Sequence, residues 1–272
     1  MKLSFDHLVH FLHRPPLEAS DRLKKAGFHT VAGGRHEMWG TYNSLSYFGL
    51  SYVEFLAVEF PDIAANAENP LVRQLIAEAT IGEGMGQLAF RTDEIERWAE
   101  RFEQRGYRVT GPLPGSRKRE DGTLIEWKML FAEGSESKRR IPFLIQWEEL
   151  DEARVNDLTR RRIIAPHENG SQEISCIALA TGNLDEAARD WRAWLGLEAG
   201  EAFADERLQA KCRLIHCGGA DLLLCQPMGA GIARDALSTR GERPFLIRFE
   251  GFGPVVHSEG IFGGVYEWTS RE

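Results

Sequence analysis

Residues 33–60, GGRHEMWGTYNSLSYFGLSYVEFLAVEF, decide how the chain is read. They divide into three short strands. In the last, residues 51–59, side chains alternate: Tyr52, Glu54, Leu56 and Val58 point one way, and Val53, Phe55 and Ala57 the other. The carboxylate of Glu54 therefore stands in an apolar row. Burying it is costly unless a cation, a hydrogen-bond donor or a water-filled cavity meets it.

Outward from this stretch the same order of elements recurs. Upstream, residues 3–12 alternate as a strand, with Leu3, Phe5, His7, Val9 and Phe11 on one face. Pro15 and Pro16 end it, residues 17–26 fit a short helix, and Gly27 stops that helix. Downstream, residues 66–79 read as a connecting helix. Residues 84–92 then form a strand with Met85, Gln87, Ala89 and Arg91 on one face. A helix over 93–105 carries the apolar stripe Ile95, Trp98, Ala99 and Phe102, with Asp93 as its N-cap. Strands at 107–112, 123–132 and 142–148 follow, the first two separated by a Gly/Pro/Arg loop. Residues 150–162 are charged and predict a helical linker. A third round begins with a strand at 173–180 and a helix at 183–195 capped by Asn183, then strands at 198–204, 208–216 and 220–226. Residues 243–269 read as a fourth unit cut short. Strand, helix, three strands is thus an internal repeat. In its register His7, Gln87 and Cys176 hold corresponding places in the first strands. Glu54, Gln146 and Leu223 do so in the last.

Composition bounds the function. A length of 272 residues suits one large domain or two modest ones, and 43% hydrophobic residues suffice for a real core. A net charge of -8 argues against nucleic acid as a partner, because phosphate contacts need clustered cations. The local cluster Arg117, Lys118, Arg119 reads as a solvated loop or as a contact for a small anion. Cys176, Cys212, Cys217 and Cys225 show no CxxC spacing, which fits a cytoplasmic, reducing location. The first residues lack the apolar core of a signal peptide, and no run of about 18 apolar residues predicts a membrane span.

Three pieces carry a family resemblance: Asp6-His7-Leu8-Val9-His10; the run with Gly34, His36, Gly40, Thr41, Asn43 and Leu45 through Tyr52-Val53-Glu54; and residues 122–127 with 142–147 (PFLIQW). Together they resemble the vicinal oxygen chelate superfamily in its glyoxalase-like branch. The resemblance implies an α+β fold of repeated βαβββ modules, paired so that curved mixed sheets enclose a cavity with helices outside. It implies a paired domain over 1–150, with modules at about 1–60 and 83–149. Residues 151–272 would then hold a linker helix, a third, partly degenerate module and the short fourth unit. A module left unpaired exposes sheet edges, so a homodimer is an expectation too.

The resemblance also implies a site. Metal-binding relatives take ligands from the first and last strand of each paired module, which here are His7, Glu54, Gln87 and Gln146. A divalent ion on them would bind a small molecule with adjacent oxygens and stabilise an oxyanion. That is lyase or isomerase chemistry. One imidazole, one carboxylate and two amides depart from the dioxygenase ligand set, and neutral amides hold divalent ions weakly. The alternative is metal-free binding of an aromatic or drug-like compound, as in bleomycin-resistance relatives. Trp39, Trp127, Trp147, Phe48 and Phe131 form an aromatic cavity wall or belong to the core. With or without metal, His7 beside Glu54 suits proton transfer. His36 is an extra ligand, a substrate donor or an edge histidine. Thr41 and Asn43 line the cavity or merely satisfy the pleat. Arg91 clamps a carboxylate or is solvated, and Trp127 lines the cavity or belongs to the core.

Overall fold

The computed structural model describes residues 1–118, 122–134 and 139–270. Arg119, of the basic cluster, lies outside them. The first module comprises β1 (Ser4–Leu12), α1 (Pro16–Lys25), β2 (Val31–His36), β3 (Thr41–Phe48) and β4 (Ser51–Val58). Short helices α2 (Pro61–Ala65) and α3 (Pro70–Ala77) lead into the second: β5 (Gly84–Arg91), α4 (Ile95–Gln104), β6 (Arg108–Lys118), β7 (Leu124–Glu133) and β8 (Phe143–Trp147). After α5 (Asp151–Arg160) come β9 (Ser171–Ala180), α6 (Leu184–Leu195), β10 (Phe203–Asp205), β11 (Ala210–Ile215) and β12 (Asp221–Pro227). The chain closes with α7 (Ile232–Arg240), β13 (Pro244–Gly251), β14 (Val255–Ile261) and β15 (Gly264–Ser270).

Among the described residues these strands build two mixed, curved sheets, ordered β2-β3-β4-β1-β5-β8-β7-β6 and β10-β11-β12-β9-β13-β15-β14. Each module places its first and last strands side by side and parallel, as β1 with β4 and β5 with β8. The modules join through their first strands, antiparallel, with Leu8 directly across from Leu88. At the far ends of the larger sheet β2 and β6 touch, so the sheet curls into a half-barrel. In the second sheet β13 covers the free edge of β9 within the same chain. The edge that suggested a second copy of the chain is thereby paired.

Two local features differ from the sequence expectation. The predicted loop after residue 112 is strand: β6 runs on to Lys118, with a register shift between Thr110 and Leu113 absorbing the Gly111-Pro112 step. Asp93 does not cap α4. The backbone N–H of Ile95 instead donates to Gln146 Oε1 at 2.9 Å. The third module repeats the device, with Leu184 N–H donating to Gln226 Oε1 at 2.9 Å, beside the expected Asn183 cap.

Strand alternation sends Leu8 and Leu12 to a core shared with α1, α4, α6 and the second sheet. Val9 and Phe11 go to the hollow of the half-barrel. His10 faces the shared core, as its parity requires. There its Nδ1 meets the Tyr266 hydroxyl at 2.7 Å and its Nε2 meets the Phe262 carbonyl at 2.9 Å, tying β1 to β15. His167 is stacked on Phe48 with ring centroids 4.2 Å apart. It accepts at Nδ1 from the His29 N–H, and its Nε2 lies 3.0 Å from the Tyr47 carbonyl.

Burial holds both imidazoles well below the ordinary 6.5, at about 4. Between those values each is neutral in the fold and protonated in the unfolded chain, so unfolding takes up protons. The stability they contribute at neutral pH is lost as pH falls from 6.5 toward 4. Each histidine should cost on the order of 1.4 kcal/mol per pH unit in that window. Denaturant melts at about pH 7, 6 and 5 should show the midpoint falling with acidity; a flat profile would contradict the buried neutral state.

Candidate functional site

Two carboxylates flank one imidazole in the hollow of the half-barrel. His7, on β1, and Glu54, on the parallel neighbour β4, bring Nε2 and Oε2 to 3.6 Å. That separation is too long for a hydrogen bond and leaves both atoms free to meet a ligand atom between them. Both side chains are buried. The remaining polar atom of each is held by a fixed partner. His7 Nδ1 lies 2.7 Å from Asp6 Oδ1, and Glu54 Oε1 accepts from Asn43 Nδ2 at 2.5 Å. The Asn43 amide is anchored in turn, since its Oδ1 accepts from the Gly34 N–H at 2.9 Å. The imidazole is stacked on Tyr52 with centroids 4.5 Å apart and meets the edge of Phe143.

Asp6 and His7 are sequence neighbours, which a regular strand would send to opposite faces. A register shift between Phe5 and His7 relaxes that alternation and lets the two side chains meet. Asp6 is fully buried. Burial alone would raise its pKa, but the hydrogen bond and charge of His7, with Arg154 and Arg91 nearby, hold it below the usual carboxylate range. Its Oδ2 accepts from Trp147 Nε1 at 3.1 Å, and Arg91 and Arg154 stand 3.9 and 4.0 Å away. Arg154 comes from α5, outside both modules, and lies over the Trp147 ring at 4.0 Å. The linker helix thus backs the site.

The rest of the wall is largely aromatic. Trp39, Trp127 and Trp147 form a chain of ring contacts, with centroids 6.2 and 5.6 Å apart. His36 sits among them, its Nδ1 3.0 Å from Thr41 Oγ1. Burial lowers its pKa to about 4, so it is a neutral donor or acceptor at physiological pH. Arg117, on β6, also lines the cavity. Its methylene stem packs so closely on Gly34 of β2 that a Cβ there would fall 2.4 Å from Arg117 Cδ. What remains open is a cavity of about 50 Å³, lined by His7, Glu54, His36, Asn43, Arg117 and the tryptophans.

The structure therefore brings His7, Glu54, His36, Thr41, Asn43 and Trp127 to one cavity, and it corrects three placements. Gln146 faces away and caps α4, while Ile145 and Trp147 beside it line the cavity. Gln87 turns into a separate cleft between the sheets, where Nε2 donates to the Ile141 carbonyl at 3.3 Å. Arg91 lies behind the cavity, donating to Asp151 and to the Phe5 carbonyl. Register shows why the four expected ligands do not converge. Val9 lies beside Glu54, and its counterpart Ala89 lies beside Phe143, so a phenyl ring holds the place of the second carboxylate. Among the described residues no three His, Cys, Asp or Glu side chains gather as a metal would need. His7 and Glu54 alone make a poor fit to a four-ligand ion. Asp6 and Arg154 reach the site through a bulge and a linker helix, which leave no periodic signal in the sequence. The glutamine recurring near the ends of β8 and β12 was the available signal that Gln146 is a cap.

Two βαβββ modules paired into a half-barrel around a polar centre define the vicinal oxygen chelate class. The chain belongs to the glyoxalase-like domain family, whose model matches residues 5–195. No curated protein sequence is significantly similar to it. A hypothetical protein from Staphylococcus aureus superposes with a TM-score of 0.78 at 20% identity, over 98% of this chain and 99% of that one. A mutant 4-hydroxymandelate synthase from Streptomyces coelicolor gives 0.55 at 14%, over 92% and 71%. A xylose isomerase-like TIM barrel/4-hydroxyphenylpyruvate dioxygenase fusion protein gives 0.52 at 14%, over 91% and 36%. At these identities the likenesses speak to the fold alone. No helix among the described residues is long and apolar enough to cross a membrane.

Asp6→Asn should cost about 2–3 kcal/mol of stability, because a buried carboxylate between a histidine and two guanidinium groups loses its charge. It should also free the His7 ring to change tautomer, which nitrogen-15 chemical shifts of the imidazole report. An unchanged shift pattern would show that Asp6 does not orient His7.

Proposed function

We propose that the His7–Glu54 cavity moves a proton on a small oxygenated molecule, at a carbon next to a carbonyl, using side chains of this chain alone. The observation that carries this reading is the 3.6 Å gap between Nε2 and Oε2, with each outer atom already committed. Asp6 occupies Nδ1, so His7 exchanges protons only through Nε2. Asn43 occupies Oε1, so Glu54 does so only through Oε2. Both working atoms face one small space, where one can take a proton from carbon and the other can return it. His36, neutral and nearby, supplies a hydrogen bond to a carbonyl oxygen without adding charge.

Among the described residues, the divalent ion implied by the family resemblance finds only His7 and Glu54 at this place. Amide ligands do not reach it, and Phe143 fills the fourth position. Proton transfer here rests on His7 and Glu54 themselves. The cavity volume of about 50 Å³ also disfavours a drug-sized aromatic ligand, since pockets for such molecules run to several hundred Å³.

Solvent exchange tests the proposal directly. Incubated in deuterium oxide with hydroxyacetone or pyruvate, the protein should speed loss of the carbon-bound proton signals by NMR. Glu54→Gln and His7→Gln should each slow that exchange about a hundredfold or more. Dialysis against a chelator should leave it unchanged. Wild-type exchange in both variants, or stoichiometric metal that disappears with His7→Gln, would refute the reading.

A further inference from the structure

We infer that Arg117 makes this cavity a receptor for small carboxylate anions, with the carboxylate on the guanidinium and the oxygenated carbon toward His7 and Glu54. The inference rests on the cavity being the substrate site and names the class of substrate. It starts from charge balance. Three guanidinium groups near the site have acidic partners: Arg35 with Glu59, Arg91 with Asp151, and Arg154 near Asp6 and Asp151. Arg117 is half-buried, and among the described residues no ion pair or hydrogen bond holds it.

On its outer side Arg117 shares a shallow cleft with Glu126, Glu148 and Glu149, but none of these carboxylates is within ion-pair distance of it, and the cavity side offers no free acid. Glu54 is committed to Asn43 on one oxygen and faces His7 with the other. His36 carries no charge at neutral pH, and Trp127 and Ile125 are apolar. A cation beside such a wall is poorly solvated, and an anion entering the cavity restores the missing partner. The planar fork of a guanidinium matches a carboxylate in two parallel hydrogen bonds. The site supplies one such fork and little room, which suits a short organic acid rather than a nucleotide or a polyanion.

Position supports the assignment. Arg117 spans the gap between β6 of the second module and β2 of the first, and its stem lies on Gly34. The Gly34 N–H in turn holds the Asn43 amide that bonds Glu54. Only glycine leaves space for the arginine stem at that crossing. The arginine stem and the acid–imidazole pair are thus linked through one chain of contacts.

Calorimetry with pyruvate, lactate and the uncharged methyl pyruvate tests the inference. The wild-type protein should bind both acids, and the ester about ten- to a hundredfold more weakly than pyruvate. Arg117→Gln should weaken the acids by a similar factor and bring acid and ester together. Arg117→Lys should keep part of the preference, which guards against a simple folding defect. Equal binding of acid and ester by the wild type, an unchanged preference in Arg117→Gln, or acids with a Kd above about 10 mM would overturn it. If proton exchange depends on Glu54 and His7 while acid and ester bind alike, the proton-transfer reading stands and this one falls. If Arg117 selects acids but no exchange occurs, the reverse holds.

Discussion

The antiparallel seam between β1 and β5 is the constraint on which the rest depends. Both strands are almost wholly buried, and Leu8 faces Leu88 at their centre. Fixing that register fixes which side chains look into the hollow. A slip of one residue would send His7 into the shared core and bring Leu8 into the cavity. The parallel pairing of β4 along β1 then sets Glu54 near His7, although the two are far apart in sequence. The bulge at Asp6 completes the arrangement by putting a second acid behind the ring.

Much of this was legible in the sequence because strand periodicity and helix stops are local signals. The alternation around Glu54, the parity that separates His7 from His10, and the recurrence of strand, helix and strands all follow from side-chain spacing. What was not legible was register between distant strands. The insertions of the second module hide which residue of β8 answers to Glu54, and PFLIQW offers a polar residue three places too late. The pairing of Ala89 with Phe143 settles it. The Gly/Pro/Arg segment misleads for a related reason. Its composition signals a loop, yet β7 supplies partners for β6 on both sides of the irregular step, and tertiary pairing overrides the local signal.

Charge in the site is arranged in depth. At the back, one fully buried carboxylate meets an imidazole, an indole N–H and two nearby guanidinium groups, so its ionised form is well supported. One of those cations arrives from α5, which belongs to neither module. At the middle, Glu54 has one strong donor and one oxygen left to work. Arg117 adds a cation to the lining. An acid, an imidazole and a second acid thus follow one another from the back of the cavity inward.

The second sheet shows that the fold by itself does not make such a site. It repeats the parallel pairing of first and last strands, β9 with β12 and β13 with β15, and the antiparallel seam between first strands. Yet the residues gathered on the face that α7 covers are Cys176, Ala178, Cys212, Leu223 and Cys225, with Leu208 and Ala233 packed over them. Small apolar side chains there admit a helix, and the helix fills the place a ligand would take. Burial raises Cys176 to about 12, so its thiol stays protonated and adds no charge. The same backbone thus encloses a polar hollow in one sheet and a plugged core in the other. The difference lies in a few inward positions, His7, Asn43 and Glu54 against Cys176, Cys212 and Leu223. Likeness of fold to enzymes of 14% identity therefore leaves the chemistry open. What the molecule can do is set by those inward side chains.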